Sequence, residues 1–174
     1  MICIIGFHCN DGARCRDFLR DSKMIFSDDT EYMGYGMYFW DNESNAKFWL
    51  SEKKRKQPEI TEWFIVSALI NIIYLLDLTD IDESKKIDKL WQKYCALTRT
   101  KKYFPIGKKV NILFEFFNLD QEYKVIRANA SYKNISNPSI LEGTFIKNIS
   151  RAIYCVRDKS VVYRTRLELE EKVC

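Results

Sequence analysis

The chain has 174 residues, 47% of them hydrophobic and 30% charged, with a net charge of +4 and a pI of about 8.6. That composition excludes a disordered chain and is enough for one domain with a real core. The mild basicity permits a phosphate-bearing or nucleic-acid ligand without requiring one.

Met1 to Phe7 is a largely apolar run and predicts a buried strand ending at His8-Cys9-Asn10. Asn10 or Asp11 can cap a short helix to about Ser22, with Cys15, Phe18 and Leu19 on one face. Lys23 to Ser27 predicts a short strand or turn, and Ser27 to Thr30 a polar loop. Glu31 to Trp49 is dense in aromatics, and Gly34 and Gly36 allow a tight, close-approaching backbone there. Met37 to Trp40 predicts a strand, and Asn42 to Ser44 the start of a helix running to Lys53-Lys54-Arg55-Lys56, closed by Pro58. That basic cluster reads as a solvated helix end that complements the macrodipole, with a nucleic-acid patch as the alternative.

Ile60 to Leu78 is rich in β-branched residues, which favours two strands over a helix, with Asn71 at a turn or bulge between them. Asp80 caps a helix from Ile81 to about Leu97 with Ile87, Leu90, Trp91, Tyr94 and Cys95 at core-facing spacing. Thr98 to Lys102 is a basic loop, and Pro105 opens a helix with an apolar face of Val110, Leu113, Phe114 and Phe117. Tyr123 to Ala128, Ile153 to Val156 and Val161 to Leu167 predict strands. Ser131 to Ser139 reads as an exposed loop, Ile140 to Ile146 surrounds Glu142-Gly143, Asp158-Lys159 is a turn, and the charged tail from Glu168 lies on the surface. No repeat or linker interrupts residues 1–174, which read as a single domain. About six to eight strands that cluster, with three or four helices, predict an α+β fold.

Six cysteines (Cys3, Cys9, Cys15, Cys95, Cys155 and Cys174) form no CxxC pair, and there is one histidine, so no metal site is expected. The N-terminus lacks the pattern of a signal peptide, and no apolar run is long enough for a bilayer. The expectation is a cytoplasmic protein with free thiols and no membrane partner. Nucleophilic schemes that use a histidine depend on His8, and Cys9 beside it on a strand would point to the opposite face. Dinucleotide and phosphate-loop fingerprints are absent. Glu142 stands out among the carboxylates because it adjoins a glycine after an apolar pair.

Several motifs resemble, in order, those of the ADP-ribosyltransferases of the poly(ADP-ribose) polymerase and diphtheria-toxin clade. Phe7-His8-Cys9-Asn10 resembles the clade's His-Gly-Thr/Ser entry, Gly36-Met37-Tyr38-Phe39 its Gly-(Ile/Leu)-Tyr-Phe motif, and Asn45-Ala46-Lys47-Phe48 its Ser-Ala-x-Tyr continuation. Ile153 to Asp158 resembles the strand that carries the third catalytic position. Leu76 to Asp80, Ile126-Arg127 and Leu141-Glu142-Gly143 are similar to segments of small stand-alone bacterial members.

The resemblance implies a split β-sheet core and NAD as substrate, with no metal. His8 would bond the nicotinamide ribose, the Cys9 backbone the carboxamide, and Tyr38 and Phe48 would sandwich the ring, where Phe in place of Tyr still offers a π-face. Ser27 and Tyr35 are candidates to line the cleft only because they flank the turn that Gly36 helps shape. Asn45, or Ser44 one residue away, stands where the clade has a carboxamide-binding serine. Cys9 replaces the usual glycine. Ile153 replaces the clade's Glu or Gln, and Glu142 is the candidate catalytic substitute. The implied activity is NAD-dependent mono-ADP-ribosyl transfer to a protein or nucleic acid, as in a toxin or defence effector with a neutralising antitoxin or immunity partner. The alternatives are a silent NAD- or ADP-ribose-binding or interaction module of the same fold, and a basic nucleic-acid-binding domain that uses Lys53 to Lys56 with Arg99, Lys101 and Lys102.

Overall fold

A computed structural model describes residues 2–101, 103–130 and 151–172. Among the described residues, eight strands and four α-helices make an α+β fold, as expected. The strands are β1 (Cys3–Asp11), β2 (Ser27–Asp29), β3 (Gly34–Trp40), β4 (Glu62–Asn71), β5 (Leu75–Asp77), β6 (Val125–Ala130), β7 (Arg151–Val156) and β8 (Val162–Lys172). The helices are α1 (Gly12–Asp21), α2 (Glu43–Lys56), α3 (Ile81–Thr98) and α4 (Ile106–Phe117). The sheet runs β5-β6-β7-β3-β1-β4-β8, with β2 paired to β3. All pairs are antiparallel except β5 and β6.

Residues alternate between two cores because side chains on a strand alternate faces. On β3, Met37 and Phe39 join one core while Tyr38 and Trp40 join the other. On β7, Tyr154 and Val156 face the first and Ile153 and Cys155 the second. Cys15 and Phe18 of α1 cover one face; Ala46 and Leu50 of α2 and Val110, Leu113 and Phe114 of α4 cover the other. Covering on both faces explains the continuous apolar run of β4. Trp63, Phe39, Phe114 and Phe18 are fully buried, each contributing roughly 2 kcal/mol by area.

The helix starts follow the capping residues. Asp11 accepts from Arg14 N, Asn42 from Asn45 N, and Asp80 from Asp82 N and Glu83 N. Asn71 ends β4 and accepts from Ile73 N in the turn to β5, so this region is two strands and not a helix.

Some boundaries differ from expectation. The first strand continues through His8, Cys9 and Asn10, because β1 pairs with β4 from Cys3↔Asn71 to Asp11↔Trp63. Ser27 to Asp29 is a strand rather than a loop, in register with Gly34 to Gly36. The charged tail to Lys172 is not loose: it extends β8 along β4, where the exposed edge tolerates charge. On α3 only Ile87 is buried; Leu90, Trp91 and Tyr94 pack part-buried against the core. The segments predicted around Ser131–Ser139 and Ile140–Ile146, Glu142 included, lie outside the described residues.

β1 and β3 pair only at Phe7 and Trp40 among the described residues, unlike the long β1–β4 ladder. The sheet is therefore split between its two middle strands, and the site forms there.

Candidate active site

A cavity of about 320 Å³ opens where β1 and β3 part. Strand β1 contributes His8 to Asp11, β3 contributes Tyr38 and Trp40, and Ile153 follows from β7. Trp49, Lys53 and Gln57 line it from α2 and the residue just after it, spaced four apart on one face. The volume and the mix of rings and polar groups suit a small molecule.

His8 is buried, and its Nδ1 donates to the Tyr38 carbonyl at 2.7 Å. That bond closes the gap between β1 and β3 where the backbone ladder stops. A carbonyl can only accept, so the proton is on Nδ1, and Nε2 accepts from the Asn10 amide at 3.3 Å. Asn10 is oriented by its own Oδ1, which accepts from Asp11 N at 2.9 Å. Burial foremost, and then Lys53, pushes the His8 pKa down to about 3 against the Tyr38 bond. The imidazole is neutral at physiological pH.

The Tyr38 hydroxyl donates to Gly34 O at 2.7 Å and accepts from Met33 N at 3.1 Å. Its oxygen is thereby engaged in the turn before β3, and the ring face is what Tyr38 offers the cavity. Gly34 has φ +80°, and a Cβ there would stand 2.7 Å from Gly107 O. Gly36 passes tightly against Cys155 Sγ and Val156 O.

Lys53 Nζ donates to the Cys9 carbonyl at 2.8 Å, and burial lowers its pKa. The other cation of the lining among the described residues is Arg14, held by Asp11 at 3.4 Å. Asp11 is the one carboxylate of the lining among the described residues. Cys9 is a thiol, its pKa pushed up to about 11 by burial, so it is no nucleophile at neutral pH.

Of the predicted site residues, His8, Cys9, Ser27, Tyr38 and Ile153 line this cavity. Four others do not. Tyr35 stacks on Phe26 at 4.7 Å and faces a separate shallow cleft with Arg157 and Asp158. Gly36 serves the β3–β7 packing. Asn45 donates to Asp41 Oδ1 at 2.8 Å within the α2 cap. Phe48 points to Arg151, whose guanidinium lies 4.6 Å from the ring. The aromatic wall from α2 is Trp49, tilted against Trp40 at 6.1 Å.

The Lys53–Lys56 cluster is neither a uniform solvated end nor one basic patch. Lys53 enters the cavity, Lys54 pairs with Glu171, Arg55 with Glu52 at 2.7 Å, and Lys56 covers Trp49 at 5.4 Å. The signal for Trp49, Lys53 and Gln57 was present in their spacing of four, but a single sequence does not say which face of α2 meets a cavity. The five described cysteines are free thiols. No described helix is long and apolar enough to cross a membrane. Comparisons with protein families, with curated proteins and with solved structures found no match.

Proposed function

We propose that the cavity binds NAD and that the protein is a mono-ADP-ribosyltransferase. One observation carries the reading: the resemblance's His and Tyr, thirty positions apart, meet at the split of the sheet through the His8–Tyr38 bond, and a cavity opens beside them. Nicotinamide would lie against the rings of Tyr38 and Trp49, near the Cys9 backbone. The diphosphate would be met by Lys53 and Arg14. The neutral His8 would orient the adjoining ribose.

In the reaction the bond between the ribose anomeric carbon and the nicotinamide nitrogen breaks, and its electron pair leaves with nicotinamide. An acceptor nucleophile attacks the same carbon and releases its proton. Positioning and cavity dipoles would supply most of the acceleration. Glu142 is the residue proposed to stabilise the developing positive charge, since Ile153 has no charge to offer.

A second reading, a silent NAD-binding module, is favoured by Ile153 itself, which stands in the cavity wall in place of a carboxylate. Calorimetric titration with NAD, together with transfer of label from NAD to cell lysate, tests both. Binding and transfer that are lost in His8→Ala and reduced in Glu142→Gln support the transferase. Binding without transfer supports the silent module. The absence of NAD binding by the wild-type chain ends both readings.

A further inference from the structure

The stretch from Lys89 to Phe114 carries seven lysines and arginines and no aspartate or glutamate. With the whole chain at +4, the remainder is net negative, so charge is segregated onto the second half of α3, the loop after it and the first turns of α4. These cations surround a continuous run of aromatic rings. Phe104 meets Trp91 edge-on at 6.0 Å, Trp91 stacks on Tyr94 at 5.3 Å, Tyr94 meets Phe116 at 5.0 Å, and Phe116 meets Phe117 at 5.0 Å. Lys108 sits 5.0 Å over Phe104, Lys109 5.3 Å over Trp91 and 5.4 Å over Tyr103, and Lys93 5.8 Å over Phe117. Tyr103 is 88% exposed and Phe116 46%.

Lys93, Arg99, Lys101, Lys108 and Lys109 make no ion pair with a described residue, whereas Lys47, Lys54, Lys86 and Lys124 each hold a carboxylate. Lys93, Lys108 and Lys109 rest instead on π-faces, the weaker partner left to a cation without an anion. Asp88, bonded to Gln92, and Glu115, beside Phe116, mark its borders.

We propose that the α3–α4 face binds single-stranded nucleic acid. Phosphates take the ammonium groups of Lys93, Lys108 and Lys109 and the guanidinium of Arg99, and unpaired bases stack on Tyr103 and the rings beside it. Cations lie over rings at both ends of the run, which puts partners for phosphates beside partners for unpaired bases. A lipid surface calls for an apolar face with cations at its rim, which is a different arrangement. A duplex keeps its π-faces inside its own stack and would use the cations alone. None of these residues lines the cavity, so the proposal does not depend on NAD.

The test is fluorescence anisotropy on the full chain with labelled oligothymidylate, a duplex of equal length and, by sedimentation, vesicles of phosphatidylserine and phosphatidylcholine. The single strand binds more tightly than the duplex, and less tightly as salt rises. Replacing both Lys108→Gln and Lys109→Gln weakens binding about tenfold at low salt and flattens the log–log salt slope by about 1.4. Tyr103→Ala weakens it about tenfold with the slope unchanged. Lys54→Gln, a cation elsewhere, changes neither. The proposal is overturned by single-strand binding that ignores the Lys108 and Lys109 changes, by equal or tighter binding of the duplex, by binding of vesicles without oligonucleotide, or by no binding at all.

Discussion

His8 Nδ1 donates to the Tyr38 carbonyl at 2.7 Å across the one place, among the described residues, where neighbouring strands of the main sheet have almost no backbone ladder. A side chain there does the joining that amide groups do elsewhere, and it leaves a cavity beside it. The bond also sets the tautomer: Nδ1 is protonated, and Nε2 is the atom turned toward Asn10.

That burial makes stability depend on pH. The folded-state pKa of His8, about 3, lies below the ordinary 6.5, so the unfolded chain binds the extra proton. The stabilisation is complete above pH 6.5 and is lost as pH falls from there toward 3. Thermal melts of the wild type and of His8→Gln, which cannot titrate, will therefore converge as pH is lowered through this window. A constant difference between the two would contradict the neutral, buried imidazole.

Lys53→Met removes the charge that helps hold His8 neutral, so the His8 pKa rises. His8 is the one histidine of the chain, and its imidazole proton resonance reports the shift without assignment work. The same variant loses a cation from the proposed diphosphate end, and NAD affinity falls about tenfold by calorimetry, ~1.4 kcal/mol.

Trp49→Ala and Phe48→Ala separate the two aromatic neighbours on α2. Trp49 lines the cavity and Phe48 does not. NAD binding weakens at least tenfold in Trp49→Ala, about the worth of one stacked ring, and stays within twofold in Phe48→Ala. The reverse order would return Phe48 to the role its motif implied.

Ile153→Glu places a carboxylate in the cavity wall, opposite Trp40 in the β3–β7 register. It lowers stability by about 1–3 kcal/mol through burial of a polar group. It also raises release of nicotinamide from NAD above wild type, while Ile153→Gln does not reproduce the rise. A folded Ile153→Glu protein without that gain argues against nicotinamide bound at this wall.

Gly34→Ala forces a φ of +80° on a residue with a Cβ and drives that atom toward Gly107 O. A loss of about 2 kcal/mol follows, lowering the melting midpoint by roughly 4–8 °C. The turn it disturbs also holds the Tyr38 hydroxyl, so NAD affinity should fall with it.

The local rules of the chain were legible because they act over a few residues. Asp11, Asn42 and Asp80 announce their helices by capping, the β-branched run from Ile60 announces strands, and Asn71 marks the turn between them. His8, Cys9, Tyr38 and Ile153 could be placed in one cleft from ordered motifs alone. What depends on distant pairing could not be read. The ladder with β4 carries β1 past Phe7, and the same edge pairing turns the charged tail into β8. Which face of α2 meets the cavity decides that Trp49 and Lys53 line it while Asn45 and Phe48 do not, and this depends on how the helix packs across the split sheet. Composition and spacing determined an α+β chain with one histidine beside a glycine-aromatic strand. Only the tertiary structure decided that β1 and β3 separate at His8, because a gap between strands is a property of two distant segments and of the bond that spans them.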